Sequence, residues 1–137
     1  MWNNKIKYVI SELNIMKKLD NPFIVSLNYA FQTPKYLYLV MEYWSGRDLS
    51  WHLDKSFYFS KEKARNCIAE VILAIEYLHS KNIIYRDLKP SNVMVADDGH
   101  IKLTDFGLAK EGIMDMDYAQ TFWGSPAYLA PELLKEK

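Results

Sequence analysis

The sequence lacks the features that mark several common classes of protein. It has one cysteine, Cys67, so no disulfide can form within the chain, and we expect an intracellular, cytoplasmic location in which thiols stay reduced. Its 17 Lys and Arg residues balance 17 Asp and Glu residues, so it has no basic excess typical of a nucleic-acid-binding protein. No apolar run reaches the roughly 18 residues that a membrane-spanning helix needs. We therefore expect neither a nucleic-acid partner nor a membrane segment.

The composition that is present is that of a folded domain. Of 137 residues, 50% are hydrophobic and 25% are charged, and this length allows one domain at most. Apolar spacing predicts helices, and alternation with turn signals predicts hairpins. In chain order these elements are a helix over residues 4–19, strands over 24–32 and 36–43, a helix from 61 to about 80, strands over 92–96 and 101–104, and a helix that begins at Pro131.

Three short strings stand out against this background. Residues 85–92 read YRDLKPSN, residues 105–107 read DFG directly after a predicted strand, and residues 130–132 read APE. A single three-residue string recurs by chance, whereas all three in this order do not. The segment that separates DFG from APE has little periodicity, which indicates a functional loop rather than a helix or strand.

The first two strings contain the residue types that phosphoryl transfer needs. Asp87, Asn92 and Asp105 bring carboxylate and amide oxygens together, and Lys89 adds a cation beside them. Such oxygens suit a hard cation such as Mg²⁺ that bridges phosphate groups. A carboxylate that does not bind the metal could accept a proton from a hydroxyl group. The alternative, that these Asp and Asn residues only form turns, explains each residue alone but not the set.

In this combination the sequence resembles the catalytic domain of eukaryotic protein kinases. The Lys in YRDLKPSN resembles the serine/threonine type, and Tyr85 with residues 121–132 (TFWGSPAYLAPE) resembles the AGC group. The resemblance implies an α+β, two-lobe protein-kinase-like fold. It also implies a serine/threonine kinase that uses Mg²⁺ and transfers the γ-phosphate of ATP to Ser or Thr hydroxyls of a protein substrate.

The resemblance runs from the regulatory helix of the small lobe to the APE string. The glycine-rich loop, the strand with the phosphate-binding lysine and the C-terminal helices are not among residues 1–137. We therefore expect a partial kinase domain that has little or no activity alone. The alternative is a non-catalytic, pseudokinase-like or truncated binding module.

The resemblance implies a role for each candidate site residue. Asp87 would be the catalytic base, Lys89 would steady the transferred phosphate, and Asn92 and Asp105 would hold the metal ions. The residues implied to bind ATP are Glu12 of the regulatory helix, Glu42 and Trp44 of the hinge, Asp48 near the ribose and Met94 beneath the adenine ring.

The resemblance also implies a regulatory site in the irregular loop. Thr121 lies where AGC-like kinases carry an activating phosphothreonine, and Arg86 and Lys110 are the expected cationic partners of its phosphate. An upstream activating kinase would then be a partner. The alternative is that Thr121 is an ordinary surface hydroxyl.

Overall fold

The computed structural model describes residues 2–112 and 124–135. In chain order its elements are α1 (Trp2–Met16), β1 (Leu27–Gln32), β2 (Leu37–Met41), α2 (Leu49–Ser56), α3 (Lys61–Ser80), β3 (Ile83–Ile84), β4 (Val93–Val95), β5 (Ile101–Leu103), β6 (Lys110–Glu111) and α4 (Pro131–Lys135). The strands form three antiparallel pairs, which are β1–β2, β3–β6 and β4–β5. No helix in the described residues is long and apolar enough to cross a membrane. The α+β fold class is confirmed.

The first three elements are a helix and an antiparallel hairpin, which correspond to the small lobe of the expected fold. Strands β1 and β2 pair from Leu27↔Met41 to Gln32↔Leu37, close to the predicted hairpin. Helix α1 buries Ile15 near its end, and the apolar residue Ile10, at helical spacing, remains exposed. Isolated pairing of Ile24 with β5 then connects this lobe to the rest of the chain.

Helix α3 is the longest element and matches its predicted position. Ser60 caps its N-terminus, because the Ser60 side chain accepts a hydrogen bond from the Lys63 N–H at 3.2 Å. Its inner face buries Cys67, Ala74 and Leu78. The single cysteine is therefore a small apolar core residue, and burial raises the pKa of its thiol.

Strands β4 and β5 have one buried face and one half-buried face. Val93, Val95, Ile101 and Leu103 are buried, whereas Met94 and its cross-strand partner Lys102 are half-buried on the other face. The buried face packs in a core with Tyr85 and Phe106, whose ring centroids lie 5.3 Å apart in an edge-to-face arrangement. This packing anchors two of the candidate catalytic strings, because Tyr85 belongs to the first and Phe106 to the second.

The structure contains elements that the sequence did not predict. Helix α2 begins after Asp48, whose side chain accepts a hydrogen bond from the Trp51 N–H at 3.0 Å. The two-residue strands β3 and β6 form an antiparallel pair. The region predicted as irregular therefore includes β6 and a short 3₁₀ turn at Pro126–Tyr128. Residues 113–123 lie outside the described part of the chain.

Gly46 is required where the chain after β2 crosses strand β4. A Cβ atom at Gly46 would lie 1.9 Å from the Val95 carbonyl oxygen, and the two segments are tied there because the Val95 N–H donates to the Arg47 carbonyl at 2.8 Å. We expect Gly46→Ala to lower the free energy of unfolding by about 2–3 kcal/mol, because backbone must shift to admit the methyl group. Chemical denaturation of the 137-residue chain measures the loss.

Gly99→Ala is the matched control for this substitution. Gly99 has a φ of +90°, but no atom lies within 4 Å of its Cβ position. Its replacement should therefore cost only about 1 kcal/mol, through backbone conformation alone. Equal losses for the two variants would show that the close approach at Gly46 does not matter.

Candidate active site

Asp87 lies at the centre of a network that fixes both of its carboxylate oxygens. The Lys89 ammonium is 2.7 Å from Oδ2, and the Asn92 amide donates to Oδ2 at 3.0 Å and to the Asp87 carbonyl at 2.9 Å. The Ser125 N–H and hydroxyl donate to Oδ1 at 3.2 and 3.0 Å. Lys89 also donates to the Ser125 hydroxyl at 3.0 Å, which closes the network. Asp87 is therefore held in one orientation.

These contacts keep Asp87 ionised although it is buried. Burial opposes the charged form, but hydrogen bonds from Lys89, Ser125 and Asn92 outweigh it and hold the pKa of Asp87 below its usual range. A buried carboxylate with this many donors is stable as an anion. At neutral pH the site thus presents an oriented, charged acceptor for a hydrogen bond from a hydroxyl group.

The structure brings Asn92 and Asp105 to the same place as Asp87. The Tyr85 hydroxyl donates to the Thr104 carbonyl, and the Thr104 N–H donates to the Asn92 carbonyl at 3.0 Å, so the residue before Asp105 is tied to Asn92. Burial raises the pKa of Tyr85, and the charges of Asp105 and Asp87 raise it further, so both carboxylates are near this hydroxyl. Asp87, Asn92 and the segment that carries Asp105 thus lie close to one buried tyrosine.

The donor set at this point fits Mg²⁺. Asp105 is exposed and has a φ of +59°, in the left-handed region, and its Oδ1 accepts a long hydrogen bond, 3.3 Å, from the Gly107 N–H. The Asn92 amide nitrogen is committed to Asp87, which leaves its oxygen as the metal-binding atom. In the described residues no group of three or more His, Cys, Asp or Glu side chains could hold a metal ion. Mg²⁺ in nucleotide sites commonly takes one or two protein oxygens together with phosphate oxygens.

Glu12 extends from α1 to the segment that carries Asp105. Burial raises the pKa of Glu12, the Asp105 charge raises it further, and a hydrogen bond with the Phe106 backbone opposes both. The Glu12 carboxylate lies near the candidate metal ligand Asp105, and the two anions repel each other. The expected part of Glu12 in ATP binding stays a prediction.

The side chains of the hinge residues Glu42 and Trp44 contact residues outside the hinge. The Glu42 carboxylate accepts hydrogen bonds from the Ser26 N–H at 2.7 Å and from the Lys102 ammonium at 2.6 Å, and the Lys102 ammonium lies 5.1 Å from the centre of the Trp44 ring. Burial raises the pKa of Glu42, but the bonds from Lys102, Ser26 and the Trp44 side chain lower it overall. The Glu42 side chain is thus engaged within the protein. The sequence did not predict Lys102 or Ser26 in this site.

Asp48 and Met94 lie side by side, since they form an isolated antiparallel bridge. Asp48 also caps α2 by accepting hydrogen bonds from the Ser50 hydroxyl and the Trp51 N–H. These bonds, led by the one from Ser50, lower the pKa of Asp48 against the effect of burial. Asp48 thus has a structural role that the sequence did not predict, and its role near the ribose stays a prediction.

Of the candidate regulatory cations, Lys110 lies in the β3–β6 pair and Arg86 follows β3 by two residues. Arg86, at a φ of +67°, donates from Nε to the Leu108 carbonyl at 2.7 Å, and Lys110 pairs with Ile84 in the β3–β6 sheet. Arg86 therefore ties the Asp87 loop to the Asp105 loop. Thr121 lies outside the described residues.

Comparison with known proteins identifies the family of the chain. The protein kinase domain model matches residues 2–137. The chain is 46% identical over 134 residues to the RAC family serine/threonine-protein kinase homolog of Dictyostelium discoideum, covering 97% of this chain and 30% of that protein. It is 46% identical over 133 residues to the human RAC-beta serine/threonine-protein kinase, covering 97% and 28%. It is 48% identical over 131 residues to the human serine/threonine-protein kinase Sgk2, covering 95% and 36%.

The chain thus spans about a third of the length of these curated relatives. The serine/threonine type and the likeness to the AGC group, which the sequence implied, are confirmed by these matches. Together with the site around Asp87, they identify the chain as a member of the protein kinase domain family.

Proposed function

We propose that this chain carries the catalytic and metal-binding loops of an ATP-dependent protein serine/threonine kinase. The observation that carries the proposal is the orientation of the ionised Asp87 by Lys89, Asn92 and Ser125. Phosphoryl transfer depends mainly on position and charge, and this network provides both. An intracellular, cytoplasmic location is part of the proposal and is supported by the single buried cysteine.

The residues would divide the work as follows. Asp87 accepts the hydrogen bond, and then the proton, of a Ser or Thr hydroxyl, while Lys89 balances negative charge on the phosphate beside it. Asp105 and Asn92 would hold Mg²⁺, which neutralises phosphate oxygens when bound. At the other end of the nucleotide, the backbone of residues 42–44 would hold the adenine, with Met94 beneath it.

The proposed function is tested by transfer of labelled γ-phosphate from ATP to peptides. The chain spans about a third of its relatives, so the test uses the longest natural protein that contains it, below termed the full-length protein. We expect label on Ser and Thr peptides with Mg²⁺, none on matched Tyr peptides, and none after EDTA is added. A protein that binds ATP but transfers no label would instead be a non-catalytic binding module.

Phosphorylation of Thr121 is proposed as the control of this site, with an upstream kinase as partner. We expect Thr121→Ala to lower the activity of the full-length protein by about tenfold or more, because a phosphate adds roughly −1.5 to −2 charges that would pair with Arg86 and Lys110. The activity of protein isolated from eukaryotic cells is measured before and after phosphatase treatment.

Thr121→Ser serves as the control, since it keeps a hydroxyl that a kinase can modify. We expect it to retain activity and to lose it on phosphatase treatment, as the wild type does. If Thr121→Ala and the wild type have equal activity before that treatment, Thr121 is an ordinary surface residue.

A further inference from the structure

Lys102 occupies a particular position on the sheet that leads to the metal-binding loop. It lies at the centre of β5, opposite Met94 on β4, so the two side chains share the half-buried face of that strand pair. Met94 is the residue expected beneath the adenine ring. Asp105 follows Lys102 by three residues, just after the end of β5. Lys102 therefore stands between the adenine end and the metal end of the candidate site.

Within the described residues, the Lys102 ammonium contacts two hinge side chains. It is 2.6 Å from Glu42 Oε1, and the side chains of this pair are only 14% and 26% exposed. It also lies 5.1 Å from the centre of the Trp44 ring, within the range of a cation–π interaction. An ion pair shielded from water in this way is screened less by salt than a surface pair.

The hinge is tied at the same carboxylate to the small lobe. Glu42 Oε1 also accepts the Ser26 N–H at 2.7 Å, and the Glu42 N–H donates to the Ser26 carbonyl at 3.0 Å. One oxygen atom thus joins the segment before β1, the hinge and β5. These contacts span 16 and 60 residues of sequence, so they are tertiary contacts rather than local ones.

We propose that Lys102 is a positioning residue that fixes the hinge, residues 42–44, relative to the strand that carries Asp105, and so sets the place of the adenine of a bound nucleoside triphosphate. This inference rests on the proposed function, since it assigns Lys102 a part in ATP binding by the same site. Lys102 acts through Glu42 and Trp44 and contacts no reacting atom. It should therefore affect nucleotide affinity and leave the chemical step intact.

Steady-state kinetics of the full-length protein separate these two effects. We expect Lys102→Met to raise the KM for ATP about tenfold, with kcat and the KM for the peptide changed by less than about twofold. Lys102→Arg should restore most of the affinity for ATP, because a guanidinium keeps both the ion pair with Glu42 and the cation–π interaction with Trp44. A fall in kcat with an unchanged KM for ATP, or no rescue by arginine, would overturn the proposal.

Lys63→Met is the matched control. Lys63 also lies over an aromatic ring, that of Phe59 at 4.6 Å, but on α3 and away from the hinge. We expect wild-type kinetics for this variant. A tenfold rise in the KM for ATP here would mean that loss of any such lysine produces the effect, and the assignment of Lys102 would fail.

A second variant tests whether the rise in the KM for ATP comes from loss of the Lys102–Glu42 contact. Glu42→Gln keeps an oxygen for the Ser26 N–H but removes the charge that Lys102 pairs with. We expect Glu42→Gln to raise the KM for ATP, and Lys102→Met to add less than about twofold in that background, because coupled residues are not additive. Full additivity of the two effects would overturn the proposal.

The contacts of Lys102 with Glu42 and Trp44 are termed the clamp below. Hydrogen exchange tests the clamp without relying on activity. In the absence of nucleotide, we expect the Glu42 amide of Lys102→Met to exchange at least about tenfold faster than that of the wild type, with the amides of α3 unchanged. An unchanged Glu42 amide would overturn the clamp even if the protein is a kinase. Failure of the wild type to bind ATP, together with faster exchange at Glu42, would instead contradict the proposed function and leave the clamp standing as a structural link.

Discussion

Asp87→Asn is expected to lower the kcat of the full-length protein by about a thousandfold, while the KM for ATP changes little. The substitution keeps the shape of the side chain but removes the negative charge that accepts the substrate proton. General base catalysis typically contributes a hundredfold to ten-thousandfold to a rate, which sets the size of the expected loss. Steady-state phosphorylation of a Ser or Thr peptide measures it.

The network around Asp87 sharpens this expectation. In the wild type Lys89 and the Asn92 amide both donate to Oδ2, whereas an amide in place of the carboxylate would present an N–H₂ group to one set of these donors. A misplaced Lys89 would then add to the loss of the base. Asp54→Asn, at an exposed position on α2, is the control and should have wild-type kcat. Wild-type turnover by Asp87→Asn would exclude Asp87 as the base.

Much of the fold was predictable because local patterns determine it. Helix α3 follows from a Ser60 cap and a long apolar stripe, and the β4–β5 hairpin follows from the turn at residues 97–99. Helix α2 escaped prediction because it has only eight residues and buries no side chain. Asp48 was its only signal, and that residue had been assigned to the nucleotide instead.

The candidate site was predictable to the extent that motifs carry it. Asp87, Asn92 and Asp105 could be chosen because they lie in short strings whose residue types suit phosphoryl transfer. The position of Lys102 could not be chosen in this way, because its partner Glu42 is 60 residues away and only the folded chain brings the two together. Contacts of this kind depend on tertiary packing, which a single sequence pattern does not encode.

Asp105→Asn is expected to reduce Mg²⁺-dependent turnover by about a thousandfold or more. A carboxylate is a charged ligand for a hard cation, and an amide oxygen is neutral and binds it far more weakly. Activity measured across a series of Mg²⁺ concentrations should show that even excess metal restores little turnover. Binding of metal-free ATP should persist, because the hinge contacts lie apart from Asp105.

The geometry at Asp105 makes asparagine a clean test of charge. Its φ of +59° lies in the left-handed region, which asparagine adopts as readily as aspartate does. An asparagine oxygen could also still accept the hydrogen bond that the Gly107 N–H donates to this side chain at 3.3 Å. The fold should therefore be retained, with a thermal midpoint within a few degrees of the wild type. Full Mg²⁺-dependent activity in a folded Asp105→Asn protein would show that this carboxylate does not hold the metal.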